Sequence, residues 1–272
     1  ASVSYHYAMT ETLREIALPF ALGVVVAAGI SVYDHVSVPV VEYERRLPTF
    51  DEMIAAEVAM SDPNLLLPDL VPLPGRELTL QTNPDGHLHL LFSTTYYNQG
   101  AGDLELRADP ATAGVRDDLP RIVYQHVFTR DGTDVERPVG VFEWHQTHRH
   151  YHFSDFVSYV LTPESAPNEP VILQKATFCI RDVSRLKTPV PGAEAHATYT
   201  VCGKERQGVS VGWGDTYFYT YPDQDIDLAD IPSGTYRLTF IVNPAGRLRE
   251  QAYLNNRSSV VFSIDKEKHS LV

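Results

Sequence analysis

The chain has 272 residues, 43% of them hydrophobic, and a formal net charge of −13 at pH 7. That length suits one large domain or two small ones, and the composition is neither disordered nor fibrous. The acidic balance argues against a nucleic-acid partner, because neutralising phosphates needs clustered Lys and Arg.

A polar tail of residues 1–15 leads into IALPFALGVVVAAGISVY, an uncharged run of 18 residues from Ile16 to Tyr33. This meets the lower length limit for a membrane-spanning helix. Pro19 sits near its start, where a helix tolerates it. The run predicts a single-pass anchor over 16–33, with a cleaved signal peptide as the rival. Ala1 in first place fits loss of an initiator Met alone, with the anchor retained. Arg14 precedes the run and Arg45 with Arg46 follow it, so the positive-inside rule leaves the orientation open. The large domain is expected outside the cytoplasm, periplasmic or extracellular, on the inner or cell membrane.

Residues 34–75 read as a tether. VSVPVVEYERRLP is extended, and a short helical pattern runs from Phe50 to Met60. LLLPDLVPLPG follows; the four prolines between 63 and 74 fit neither a helix nor a central strand. It is expected to lie along the surface of the next domain.

Residues 76–272 turn to β signals. HLHLLFSTTYYNQG alternates and then breaks, and RIVYQHVFTRDGT ends in an Asp-Gly turn. VSYVLT, VILQKATFCI, ATYTVCG, TYFYTY, GTYRLTFIVNP and SSVVFSI follow at short intervals. The fold class is therefore mainly β, an antiparallel sandwich or barrel. Of the two cysteines, Cys179 and Cys202, sequence alone allows one bridge or two buried thiols. A bridge would contribute roughly 3 kcal/mol on the chain-entropy estimate.

The chemistry concentrates in WHQTHRHYH, Trp144 to His152. His148, His150 and His152 stand at i, i+2 and i+4, on one face of a strand. Three imidazoles without a thiolate suit copper, zinc, iron or nickel. In a flat strand the outer two Cα atoms would lie roughly 13 Å apart. An imidazole with its metal bond reaches only about 6.5 Å. One shared ion therefore requires a bend or bulge, predicted around Arg149 to Tyr151. His87 and His89 also alternate, but lack a third partner, and they read as a surface strand. Tyr217, Tyr219 and Tyr221 have the spacing of an aromatic sheet face. Trp144 and Trp213 are expected to pack beside the site.

WH-x-x-H-x-H-Y-H resembles the copper motif of the lysyl oxidases. LQKATFC is similar to that family's segment with the cofactor lysine, and QGVSVGWGDTY to its segment with the cofactor tyrosine. QDIDLADIPSGTYRL…NP…YLNN resembles the family's C-terminal strands, so the likeness runs from about Leu65 to Ile264. LLLPDLVPLPG and TTYYNQGAGDLEL look like the bacterial members, and the extra cysteines of the animal ones are absent.

The resemblance implies Cu(II) on His148, His150 and His152, with His145 matching a neighbouring histidine outside that set. It also implies a lysine tyrosylquinone cofactor made from Lys175 and Tyr217. In that chemistry a quinone carbonyl condenses with a primary amine and a carboxylate removes the α-proton. An aldehyde leaves, and O₂ restores the quinone with release of hydrogen peroxide and ammonia. Asp215 and Asp155 are the two candidates for the base.

Two functions follow from these residues. The first is a membrane-anchored amine oxidase acting on a primary amine. The second is a non-catalytic accessory subunit of a larger membrane complex that keeps the fold and the metal, since neither guarantees catalysis. A copper or zinc carrier ranks third, because carriers hold exposed, exchangeable ligands.

Overall fold

The computed structural model describes Val24–Ala27, Val40–Tyr43, 62–112 and 119–272, in two units, residues 1–46 and 47–272. In the first unit, β1 (Val24–Ala27) pairs antiparallel with β2 (Val40–Tyr43). These four residues fall inside the apolar run expected to be a helix over 16–33. Their valines are β-branched and suit an extended backbone with a partner strand. The rest of that run, and the helical pattern from Phe50 to Met60, lie outside the described residues. No helix among the described residues is long and apolar enough to cross a membrane.

The second unit begins with β3 (Leu65–Leu66), β4 (Leu70–Pro72), β5 (Arg76–Thr82), β6 (Leu88–Asn98) and β7 (Leu104–Ala108). Next come β8 (Arg121–Thr129), β9 (Asp134–His145), β10 (His150–Pro163), β11 (Ile172–Phe178) and β12 (Ser184–Arg185). The chain ends with β13 (Arg206–Val209), β14 (Trp213–Tyr217), β15 (Asp225–Asp227), β16 (Gly234–Val242), β17 (Arg257–Asp265) and β18 (Ser270–Leu271).

The larger sheet runs β13-β7-β8-β9-β10-β16-β17-β18, with β11 also on β10 and β3 on β8. In the smaller one, β6 carries β14, β15, β4 and β5, and β12 lies beyond β14. The core draws Leu90, Phe92 and Tyr96 from β6 and Phe142, Phe156, Tyr159 and Phe240 from the larger sheet. Apolar faces of two antiparallel sheets meet, as in a sandwich. Edge-to-face rings such as Phe92 against Tyr159, 4.8 Å between centroids, fill the interface.

The proline-rich stretch expected as a tether contributes two short strands to these sheets. Leu65, Leu67 and Leu70 are buried. The prolines limit these strands to two and three residues, while the leucines still find a core to enter.

Two placements prepare the site. First, β10 takes β9 as partner over His150 to Phe153 and β16 from Val157 onward. The change-over is marked by a register shift against β11 between Phe153 and Val157, where Asp155 has φ +50°. Second, β14 lies against β6 closely enough that a Cβ on Gly214 would fall 2.2 Å from the Tyr96 carbonyl oxygen. Only glycine permits that approach, and it carries the next residues, Asp215 and Tyr217, to the sheet interface.

Candidate metal centre

The histidine-rich segment is a β-hairpin rather than one strand. His145 ends β9, His150 opens β10, and the two are direct Cα partners. His148 lies in the turn, whose last residue, Arg149, has φ +58°. The distortion needed to gather the imidazoles thus falls at Arg149, but as a reverse turn. Sequence spacing alone could not separate a bulged strand from a hairpin.

Four imidazoles converge. His145, His148 and His152 each offer a ring nitrogen, all within 4.8 Å of one another. His150 Nε2 and His152 Nε2 face each other at 2.9 Å. His145 therefore joins the group and stacks on His152 at 4.4 Å between centroids. Its Nδ1 is buried and has no hydrogen-bond partner among the described residues.

The outer nitrogens of two rings are already committed. His148 Nε2 donates to the Pro222 carbonyl at 2.9 Å, which leaves Nδ1 as its lone-pair nitrogen. His152 Nδ1 and Thr177 Oγ1 are 2.9 Å apart, which leaves Nε2. Such contacts fix the ring orientation and tautomer of metal-binding histidines. Burial lowers the pKa of His150 to about 4 and that of His152 to about 2, with neighbouring imidazoles adding to the shift. Both rings are neutral at pH 7, the form that binds a metal.

Tyr217 ends β14 against this cluster. Its ring is buried, stacked on Phe178 at 3.6 Å and 6.1 Å from the His152 ring. Its hydroxyl accepts the backbone N–H of Cys179 at 2.6 Å. Burial raises its pKa, so the phenol stays protonated at neutral pH. The aromatic face expected over Tyr217, Tyr219 and Tyr221 is not formed, because β14 stops at Tyr217.

Asp215, two residues back, is fully buried and lines a cavity of about 420 Å³ with His148, His150, Arg181 and Tyr217. Desolvation raises its carboxyl pKa to about 7, against the pull of Arg181 and the N–H groups of Thr216 and Arg181. Asp155, the other candidate base, lies away from this cavity and pairs with Arg247 at 2.9 Å. Cys179 and Cys202 form a disulfide on the cavity wall. Their sulfurs are thus withdrawn from any ligand set with the adjacent His150.

Lys175 occupies β11 opposite Ser158. Its side chain lies outside the described residues. Its neighbours Gln174, Ala176 and Thr177 line a second cavity, of about 180 Å³, with His145, His148, His152 and Tyr217. Trp213 packs against the core, with its indole N–H on the Glu194 carbonyl. Trp144 does not: it is exposed, edge-on to Tyr151, with its indole N–H on Gln146.

The comparisons with known proteins agree with this geometry. Residues 124–271 match the lysyl oxidase family model. The chain is 29% identical over 205 residues to lysyl oxidase homolog 1 of Homo sapiens, covering 70% of this chain and 32% of that protein. Lysyl oxidase homolog 4 of Mus musculus is 33% identical over 114 residues, and homolog 2 of Gallus gallus 29% over 113. Each of these covers 42% of this chain and 14% of the relative. The matched part spans about a third or less of those relatives. Hairpin, buried tyrosine and matched domain coincide: the chain belongs to the lysyl oxidase family.

Proposed function

We propose that this domain is a copper-dependent amine oxidase acting on primary amines. The observation that carries the reading is the buried Tyr217 ring beside a cluster of neutral imidazoles, with Asp215 on the same strand and cavity.

The residues present fit a copper ion. All the donors are imidazoles, a borderline set that suits copper and also zinc. The Nδ1 of His145 has no hydrogen-bond partner among the described residues, and the Nε2 atoms of His150 and His152 face each other at 2.9 Å, where one ion could take the place of the shared proton. His148, His150 and His152 would hold the ion, with His145 beside them. When bound, copper and a quinone built from Tyr217 and Lys175 would supply the oxidising and electrophilic chemistry.

The remaining tasks belong to side chains. Pro222 and Thr177 aim His148 and His152. Phe178 and the Cys179 N–H keep the Tyr217 ring in one orientation. Asp215, with a pKa near 7, can accept a proton from the carbon beside a substrate amine and return it in the same pH range.

The disulfide supports a location in an oxidising compartment. With the apolar run 16–33, we place the domain outside the cytoplasm on a membrane anchor.

The test is a digest of copper-loaded, aerated protein analysed by mass spectrometry. A peptide pair joined through Lys175 and Tyr217 is expected, and should be absent from Tyr217→Phe. Intact, unlinked peptides after loading would remove the oxidase and leave a non-catalytic accessory subunit.

A further inference from the structure

A second group of metal-binding side chains lies at the start of β6, away from the hairpin. His87 and His89 stand at i and i+2 around the first residue of that strand and so share a face. Asp225 and Asp227 stand at i and i+2 on β15, whose ladder sets Asp227 opposite His89. Diagonal contacts join the pairs: His87 Nδ1 to Asp227 at 2.9 Å, and His89 Nδ1 to Asp225. Asp85, in the β5–β6 turn, reaches His89 Nε2 at 3.1 Å. Gly86 at φ +86° makes that turn tight enough to fold Asp85 back over the strand.

Three features separate this group from an ordinary acidic surface. It contains two imidazoles, not carboxylates alone. Buried His89 has a carboxylate on each ring nitrogen, so one proton-poor acceptor always faces it unless the ring is charged or a cation replaces the proton. Among the described residues, no Lys or Arg pairs with Asp85, Asp225 or Asp227. Three carboxylates beside two imidazoles therefore leave an uncompensated negative charge.

We propose that Asp85, His87 and His89, backed by Asp225 and Asp227, form a second metal site for a divalent ion of the zinc class. One ligand atom from each of Asp85, His87 and His89 already lies within 4.8 Å of the others. Mixed imidazole and carboxylate donors suit zinc better than calcium, which takes oxygen alone, or copper(I), which prefers sulfur. The ion would staple the β5–β6 turn to β15. Because Pro222, Asp223 and Gln224 lead directly into β15 and line the cavity at the hairpin, that staple would also brace one wall of it.

Zinc(II) equilibrium dialysis of the full chain tests this independently of the oxidase reading. His87→Ala/His89→Ala should retain one zinc fewer per chain than the wild type, whatever the hairpin retains. Equal stoichiometry in the two proteins would overturn the site. Should the double variant fail to fold, Asp85→Asn serves instead, because Asp85 is on the surface. It should weaken that same equivalent of zinc at least about tenfold. Unchanged affinity in a folded Asp85→Asn would be equally decisive against the site.

Discussion

The two histidine clusters share a spacing and differ in almost everything else. At the hairpin the imidazoles are surrounded by Tyr217, Phe178 and one another, and burial drives His150 and His152 toward the neutral form. At β6 the imidazoles face carboxylates, and the hydrogen bond to Asp227 raises the pKa of exposed His87. The first environment presents lone pairs beside an aromatic ring and a cavity. The second presents charge at the surface. An i, i+2 histidine pair thus identifies a face, and the surroundings separate the copper centre proposed at the hairpin from the structural ion proposed at β6.

That contrast can be broken most severely at Tyr217. Tyr217→Phe should abolish amine-dependent release of hydrogen peroxide while copper binding persists, because the phenol is the oxidisable group and not a ligand. Retained peroxide release would end the distinction drawn here.

Asp215→Asn comes next. Loss of a positioned proton acceptor should slow turnover about 10²–10⁴-fold. In the unmodified protein the carboxylate is the active form, so the rate should rise as pH increases through about 7. A pH–rate series should show this limb vanish in Asp215→Asn. Asp155→Asn, altering a residue held by Arg247 outside the cavity, should keep the limb.

A smaller effect is expected from Thr177→Val. Without its hydroxyl, His152 loses an orienting partner, and copper affinity should fall about 10–100-fold in a competitive chelator titration. Unaltered affinity would mean that the hairpin alone orients the ring.

The last change concerns the wall rather than the metal, and is read in stability with no direct effect on turnover. Replacing Cys202 by Ser opens a loop with a sequence separation of 23 and should cost about 3 kcal/mol of stability in denaturant unfolding. If the cost is negligible, the loop carrying Cys202 is held by its other contacts.

The legible parts of the molecule were those written in local pattern. Alternation along β6, β8 and β16 announced strands, and WHQTHRHYH announced a cluster of imidazoles with a distortion at its centre. The geometry depended on partners that local pattern does not carry. His145 enters the cluster because β9 and β10 pair across a turn. His87 and His89 read as lacking a third partner because the β5–β6 turn that folds Asp85 back over them, and the β6–β15 ladder that brings Asp225 and Asp227, are not visible in local pattern. Asp215 and Asp155 were indistinguishable as letters; burial and Arg247 separate them. The leucines of LLLPDLVPLPG enter the core because two short strands fit between prolines that forbid a long one. Val24–Ala27, inside the apolar run 16–33, pairs with Val40–Tyr43, a partner that local pattern does not carry.

The most direct test of the hairpin as the copper centre is electron paramagnetic resonance of the full chain with one equivalent of Cu(II). The spectrum should carry coupling to several imidazole nitrogens, lose that pattern in His148→Ala/His152→Ala, and keep it in His87→Ala/His89→Ala. An identical spectrum from the His148→Ala/His152→Ala protein would contradict the assignment.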